Sequence, residues 1–299
     1  MKRLLYTALL GLALVYAPSV QSQAAPPHTR TEDVIYGRKF GTALTLDVFQ
    51  PASKNGVAIF VVVSGGYFSD HNAINPGFCR PLLEHGYTVF AVVHGSQPRF
   101  IIPEIEQDIH RAVRYVRHNA GRWGVDPNKF GITGASAGGH LSLTIGTQGR
   151  PGPADAKDAV DRESSAVQAV ACFFPPTDFL NWSKPGEDWM DFGPTRQFAP
   201  AFGPKGKTRE GRQELGREIS PINYVTSNMA PTLIMHGDAD RLVPLYQSQR
   251  FAEKCKEAGA PFKLIVKPKA DHGWPGMEQD LAVFADWFDR HLLGITEKK

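Results

Sequence analysis

The sequence predicts an α/β protein, with a mostly parallel central sheet and helices on both of its faces. Three observations predict it. Continuous apolar runs rich in β-branched residues, above all Val57-Ala58-Ile59-Phe60-Val61-Val62-Val63, have the pattern of strands buried on both faces. Between such runs lie segments of helical period. After Pro103, residues Ile105, Ile109, Ala112, Val113 and Val116 share one face, with Glu106, Gln107, Arg111 and Arg114 opposite. Strands alternating with helices imply parallel pairing through crossovers. The third observation is an abrupt strand-to-helix reversal in Lys129–His140, KFGITGASAGGH, whose turn is all Gly, Ala and Ser. The 299 residues, 42% hydrophobic and 21% charged, are enough for one large α/β domain or two small ones, and residues 25–299 read as one.

In chain order, Met1-Lys2-Arg3 is a basic start and Leu4–Tyr16 an apolar run too short to span a bilayer. Ser22-Gln23-Ala24 then offers small residues where a signal peptidase reads. Residues 1–24 are expected to be a signal peptide, and the mature protein to be exported, periplasmic or secreted. Removal takes away Lys2 and Arg3 and no acid, so the net charge falls from +3 to +1. That balance suggests neither nucleic acid nor an anionic membrane as a partner.

Residues 25–32 read as a flexible entry and Val34–Arg38 as a short strand. Leu44, Leu46 and Val48 alternate with Thr45 and Asp47, as in a half-buried antiparallel edge strand. The strand at 56–64 ends in the turn Ser64-Gly65-Gly66-Tyr67. A helix fits 75–86, a buried strand Tyr87–Val93, and the Pro103 helix follows. Later strands fit Ala166–Phe174, Pro231–Met235 and Phe262–Val266, with helices at 245–258 and 276–293. Residues 175–230 break the alternation. They are rich in Pro and Gly, lack a clear period, and carry Phe179, Trp182, Trp189, Phe192, Phe198 and Phe202. An insertion of this kind is expected to cap a site, its exposed aromatics stacking on sugar rings or on an aryl acyl group. Cys79, Cys172 and Cys255 form neither a disulfide framework nor a zinc pattern, though one disulfide is open to them. Cys172 lies in an apolar run and reads as a buried small hydrophobe.

The chemistry centres on Gly134-Ala135-Ser136-Ala137-Gly138-Gly139, which fits the G-x-S-x-G elbow between a strand and a helix. Such a reversal forces the serine into a strained conformation and brings neighbouring segments almost into contact, so only Gly and Ala fit beside it. A serine hydroxyl is a poor nucleophile until a base takes its proton. Of the ten histidines, His272 is the expected base: it follows the last strand and emerges at the elbow's end of a parallel sheet. His94, at another strand end, is its rival. His110, His118 and His291 read as solvated helix faces, and His140 as a packing group behind the elbow. Asp240, in the loop after the 231–235 strand, is the expected acid that fixes the base's tautomer, ahead of Asp238 and Asp178. Oxyanion donors are expected from the backbone N–H of Ala137 and from Gly66 or Tyr67. No histidine pair has zinc-helix spacing, so neither a catalytic metal nor a cofactor is expected.

The stretches SGGYF, PEIEQDIHRAVRYVR, GASAGGH, HGDADRLVP and ADHGW together resemble the α/β-hydrolase superfamily, over about residues 33–294. The likeness is to its esterase/lipase group, related to hormone-sensitive lipase and to bacterial feruloyl and acetylxylan esterase domains. It implies a Ser136, Asp240, His272 triad and a serine carboxylic ester hydrolase working through an acyl-enzyme. The substrate implied is a short-acyl or aromatic-acyl ester of carbohydrate, with oligomeric state left open. The run from His236 to Trp274 is also similar to prolyl-oligopeptidase catalytic domains. An exported peptidase or amidase, or a non-catalytic binding protein of the same fold, stands as the alternative. Two positions depart from the esterase pattern: Ser64 stands where the family's oxyanion loop begins with His, and His94-Gly95 where a strand ends in Tyr-Arg.

Overall fold

The computed structural model describes residues 28–295, so the expected signal peptide lies outside the described residues. The strands are β1 (His28–Lys39), β2 (Thr42–Pro51), β3 (Ala58–Val63), β4 (Thr88–Val93), β5 (Phe130–Ala135), β6 (Ala169–Phe173), β7 (Thr232–Gly237) and β8 (Phe262–Lys267). The helices are α1 (Pro76–Glu84), α2 (Ile102–His118), α3 (Ala120–Trp123), α4 (Ala137–Gln148), α5 (Ala159–Arg162), α6 (Arg209–Ile219), α7 (Tyr246–Ala258) and α8 (Leu281–Phe288). The eight strands form one sheet in the order β1-β2-β4-β3-β5-β6-β7-β8. β2 runs antiparallel to β1 and β4, and every pair from β4 onward is parallel. This is the α/β-hydrolase arrangement, and it places the loops after β3, β5, β6, β7 and β8 at one end of the sheet.

The sheet is buried on both faces, which is why its central strands carry no polar alternation. All six residues of β3 are buried, and each Val or Ile so covered contributes about 1.5–3 kcal/mol. One core layer lies under α2 and α4, with Ile105, Ile109, Val113, Leu141 and Ile145; the other lies under α1 and α8, with Leu82, Leu83, Phe284 and Phe288. The α2 helix starts as its sequence predicts: the Glu104 carboxylate accepts the free N–H of Ile101 at 3.0 Å. Glu106, however, does not face solvent as its helical position suggested. It is buried against α4, within 3.8 Å of the His140 Nε2.

Several boundaries differ from the sequence reading. Residues 28–32 are not a flexible entry but the start of β1, which is the edge strand. β2 is an inner strand: Asp47, expected on a half-exposed face, is fully buried beneath Arg30 and His71, its carboxylate also accepting the Asp33 N–H at 3.0 Å. His110 is likewise buried, bonded to the Ser165 hydroxyl at 2.8 Å. The helix expected at 276–293 is a 3-10 turn, then α8, then a π-helical turn at Asp289–Leu293. All three cysteines are buried thiols with no disulfide among them. No helix among the described residues is long and apolar enough to cross a membrane.

The insertion is more ordered than its missing period suggested. It holds a 3-10 stretch at Gly193–Phe202 and the helix α6, which buries Leu215 and Ile219. Side chains rather than a ladder fix it. Gln247, fully buried on α7, accepts the N–H groups of Thr177 and Asp178, each at 2.8 Å. Its Nε2 faces the carbonyls of Trp182 at 2.7 Å and Asn181 at 2.9 Å. The Arg212 guanidinium donates to Asp188 at 2.8 Å, and Trp189 stacks on Phe202. Most of the aromatics expected at the surface are inside: Phe179, Trp182, Trp189 and Phe202 are all buried. Only Phe192 and Phe198 keep partial exposure.

Candidate active site

The reversal between β5 and α4 places Ser136 at φ 56°, ψ −119°, a conformation L-residues rarely adopt. Its neighbours explain the glycines. A Cβ on Gly134 would stand 2.5 Å from the Gly138 backbone, and one on Gly138 2.7 Å from the Val62 carbonyl oxygen. Only a bare backbone lets α4 leave so sharply. The Ser136 N–H is tied to the Phe173 carbonyl at 3.0 Å, which fixes the turn to β6.

The loops after β7 and β8 bring the other two residues to it. His272 Nε2 lies 2.8 Å from Ser136 Oγ, and Nδ1 lies 2.7 Å from Asp240 Oδ2. A carboxylate only accepts, so Nδ1 carries the proton and the Nε2 lone pair faces the serine hydroxyl. The other Asp240 oxygen accepts the N–H groups of Leu242 and Val243, each at 2.9 Å. Burial alone would raise the Asp240 carboxyl, but hydrogen bonds from His236 and His272 outweigh it and hold the acid well below the usual carboxylate range. The Phe174 ring lies against the His272 imidazole, with centroids 4.4 Å apart. A Cβ on Gly237 would meet the Ala270 carbonyl oxygen at 2.2 Å, so the loops that carry Asp240 and His272 touch. Arg241 and Asp271 pair across them, and the Asp271 carboxylate also accepts the His272 N–H at 2.8 Å.

The loop after β3 forms a tight turn. Gly65 and Phe68 exchange backbone bonds of 3.0 and 2.9 Å, and both central residues have positive φ, 54° at Gly66 and 66° at Tyr67. That is the type I′ pattern, unusual for a tyrosine. Gly66 suits the turn by its φ, and a Cβ there would meet the Phe198 ring at 2.3 Å. Gly66, Tyr67, Ser136 and Ala137 line one small cavity of about 30 Å³ with Phe179, Trp182, Trp189, Phe198 and Phe202 of the insertion. The insertion therefore covers Ser136.

The rival residues are elsewhere engaged. His94 is buried, its Nδ1 bonded to the Gly95 carbonyl at 2.8 Å, and burial pushes it down to about 4. Asp238 accepts the Lys269 N–H at 2.6 Å, and Asp178 receives Asn181 at 2.9 Å and Arg250 at 3.3 Å. His140 is the packing group expected: Nε2 bonds the Ile219 carbonyl at 2.7 Å and Nδ1 meets the Tyr67 hydroxyl at 3.2 Å, while burial pushes it down to about 4. Sequence reasoning missed His236. Its Nε2 lies 3.3 Å from Asp240 Oδ2, and its Nδ1 meets Ser248 Oγ at 2.7 Å. It missed Gln97 as well. Among the described residues, Glu32, Asp47 and His71 bring three metal-ligating atoms together, but Arg30 pairs with both carboxylates and supplies the positive charge itself.

Comparison with known proteins places the chain in a family. Esterase LipQ of Mycobacterium tuberculosis is 28% identical over 258 residues, covering 83% of this chain and 59% of that one. An acetylxylan esterase of Xylanibacter ruminicola is 26% identical over 298 residues, 97% of this chain and 52% of that one. The chain thus spans little more than half the length of these curated relatives. Among solved structures, a truncated carbohydrate esterase from gut microbiota superposes with a TM-score of 0.77 at 29% identity, covering 90% of this chain and 99% of that one. The BD-FAE family model matches residues 46–255, most of the sheet and both the Ser136 and Asp240 loops, and the chain belongs to the BD-FAE family.

Proposed function

We propose that the protein is a serine carboxylic ester hydrolase that works through an acyl-enzyme on short-acyl esters of carbohydrate. The observation that carries the reading is the continuous chain Ser136 Oγ, His272, Asp240, with contacts of 2.8 and 2.7 Å. In it His272 takes the Ser136 proton as the hydroxyl attacks the ester carbonyl and returns it to the leaving alcohol; Asp240 holds the tautomer and steadies the imidazolium. The tetrahedral oxyanion is received by the N–H of Ala137 and by that of Tyr67 or Gly66. Water then repeats the cycle on the acyl-enzyme. Esterases among the relatives, and carbohydrate esterases among relatives and solved structures alike, support the reaction class and the substrate class.

The cavity supports the short acyl group. About 30 Å³ beside Ser136 admits a group the size of one water or methyl. That space suits an acetyl methyl, and the Phe198 ring borders it. The mature enzyme acts outside the cytoplasm, on the strength of its basic, apolar and small-residue N-terminus. N-terminal sequencing of the native protein should begin just after Ala24; an intact Met1 would contradict export.

Rates on nitrophenyl esters from acetyl to long-chain, together with release from acetylated xylan, methyl ferulate and peptide amides, test the proposal. The expected result is a maximum at acetyl or propionyl and acetate released from xylan. A long-chain maximum without acetate release overturns the carbohydrate reading. Turnover of peptide amides ahead of every ester would favour the peptidase.

A further inference from the structure

We propose that Gln97 is the positioning residue of the oxyanion site, the group that aims the Tyr67 N–H at the reacting carbonyl. This rests on the serine esterase reading above. Gln97 is buried at 3% exposure and lines no part of the cavity at Ser136. It holds the turn from behind at two points: its side-chain Nε2 donates to the Gly66 carbonyl at 2.5 Å, and its backbone N–H donates to the Tyr67 carbonyl at 3.1 Å. A peptide is planar and trans, so its C=O and N–H point opposite ways. Fixing the Gly66 carbonyl toward Gln97 turns the Tyr67 N–H away from Gln97, to the side where Tyr67 and Ser136 share the cavity.

The turn needs such a holder. Tyr67 sits at φ 66°, a region costly for a residue with a Cβ, and the peptide would flip if its carbonyl were free. The side chain alone does not fix it, because the Tyr67 hydroxyl is anchored to His140 at the far end of a long lever. Gln97 itself is held in place. Ser96 Oγ accepts the Ser69 N–H at 3.2 Å, Ser69 Oγ donates to Val63 at 2.6 Å, and the Gly95 N–H donates to Asp108 at 2.9 Å. The loops stitched together here are those that begin with Ser64 and His94-Gly95, the two places where the sequence departs from the esterase pattern. A charge-free amide suits this role, because it donates without placing charge beside the developing oxyanion. It also polarises the Gly66–Tyr67 peptide so that its N–H donates more strongly.

The decisive experiment is steady-state kinetics of wild type, Gln97→Ala, Gln97→Glu and Ser136→Ala on nitrophenyl acetate between pH 5 and 9, with thermal melts on each. Removing an oxyanion donor outright lowers kcat by about 100- to 1000-fold, and misaiming one should cost about ten- to a hundredfold. Gln97→Ala is therefore expected to lower kcat in that range with KM within about twofold. Gln97→Glu gives the signature a merely structural role would not. A carboxylate repels the Gly66 carbonyl, whereas the protonated acid donates to it, so the ratio of Gln97→Glu to Gln97→Ala activity should rise as pH falls. Taking the ratio of the two variants cancels any pH effect that they share. Unchanged kcat in Gln97→Ala, an effect confined to KM, or a flat ratio across pH overturns the inference while leaving the esterase reading intact. If Gln97→Ala fails to fold, the pH ratio of Gln97→Glu to wild type decides by the same sign. An inactive wild type, or an active Ser136→Ala, defeats the underlying reading and this inference with it.

Discussion

The reversal from Phe130 to Gln148 and the insertion at 175–230 meet at one cavity, and they are held in different ways. The reversal is held by backbone: β5 pairs with β3 and β6, Ser136 is tied to Phe173, and glycines let chain segments touch. The insertion has no strand in the sheet and is held by side chains, by Gln247, by the Asp188–Arg212 pair and by stacked aromatics. Backbone geometry over-determines the position of the nucleophile, whereas side-chain packing sets the size of the space before it. On the proposed reading, chemistry depends on the first region and acyl selectivity on the second. The regions are joined at His140, which sits on the elbow helix and bonds the insertion at Ile219.

The largest expected effect breaks the chemical half alone. Ser136→Ala or His272→Ala should lower kcat by about a millionfold and Asp240→Asn by about ten thousandfold, with unchanged melting cooperativity in Ser136→Ala. Residual turnover within a hundredfold of wild type in Ser136→Ala would place the nucleophile elsewhere. Breaking the clamp on the other half should act on stability instead. Gln247→Ala orphans buried N–H and carbonyl groups and should cost on the order of 3 kcal/mol. Hydrogen exchange should then quicken across 177–220 and remain slow across 130–148; equal acceleration in both would show that the two regions do not behave as separate units. A smaller and sharper effect is expected at the contact between them. Phe198→Ala removes the ring that crowds Gly66 and should raise the butyryl-to-acetyl ratio of kcat/KM about tenfold. An unchanged ratio would deny the insertion its role in selectivity.

The remaining expected effect concerns the joint and is read as a slope against pH. Burial, reinforced by Glu218, raises the Glu106 carboxyl from 4.5 to about 8. Between those values the unfolded chain has released a proton that the folded chain still holds, so stability falls as pH rises toward 8. Glu106→Gln should flatten that slope in urea denaturation between pH 5 and 8. An identical slope in the variant would mean that Glu106 does not carry the proton.

The same contrast explains what could be read from the sequence. Gly134, Ser136 and Gly138 were legible because a backbone approach under 3 Å permits no other residue types, and the loops of Asp240 and His272 follow from the direction of parallel strands. β1 was misread at its start because an edge strand with exposed, polar residues looks like a loop. Asp47 and Glu106 were placed at the surface because periodicity reports one helix or strand at a time, and here a second element covers the polar face. Gln97 and Gln247 stand in no motif of their own, and His236, though it opens the HGDADRLVP stretch, has no role that the motif announces. Each is a single polar residue whose meaning lies in partners across the fold, such as His236 beside Asp240 at 3.3 Å. The insertion hid its helix α6 because 3-10 turns and prolines break the apolar period on either side of it.

The central claim is that Ser136 is an activated nucleophile, and a fluorophosphonate probe tests it most directly. After brief exposure of the folded protein, peptide mass spectrometry should find one phosphonyl adduct, on the peptide that contains Ser136, and none in Ser136→Ala or in heat-unfolded protein. Absence of an adduct, or an adduct on another serine, would contradict the account.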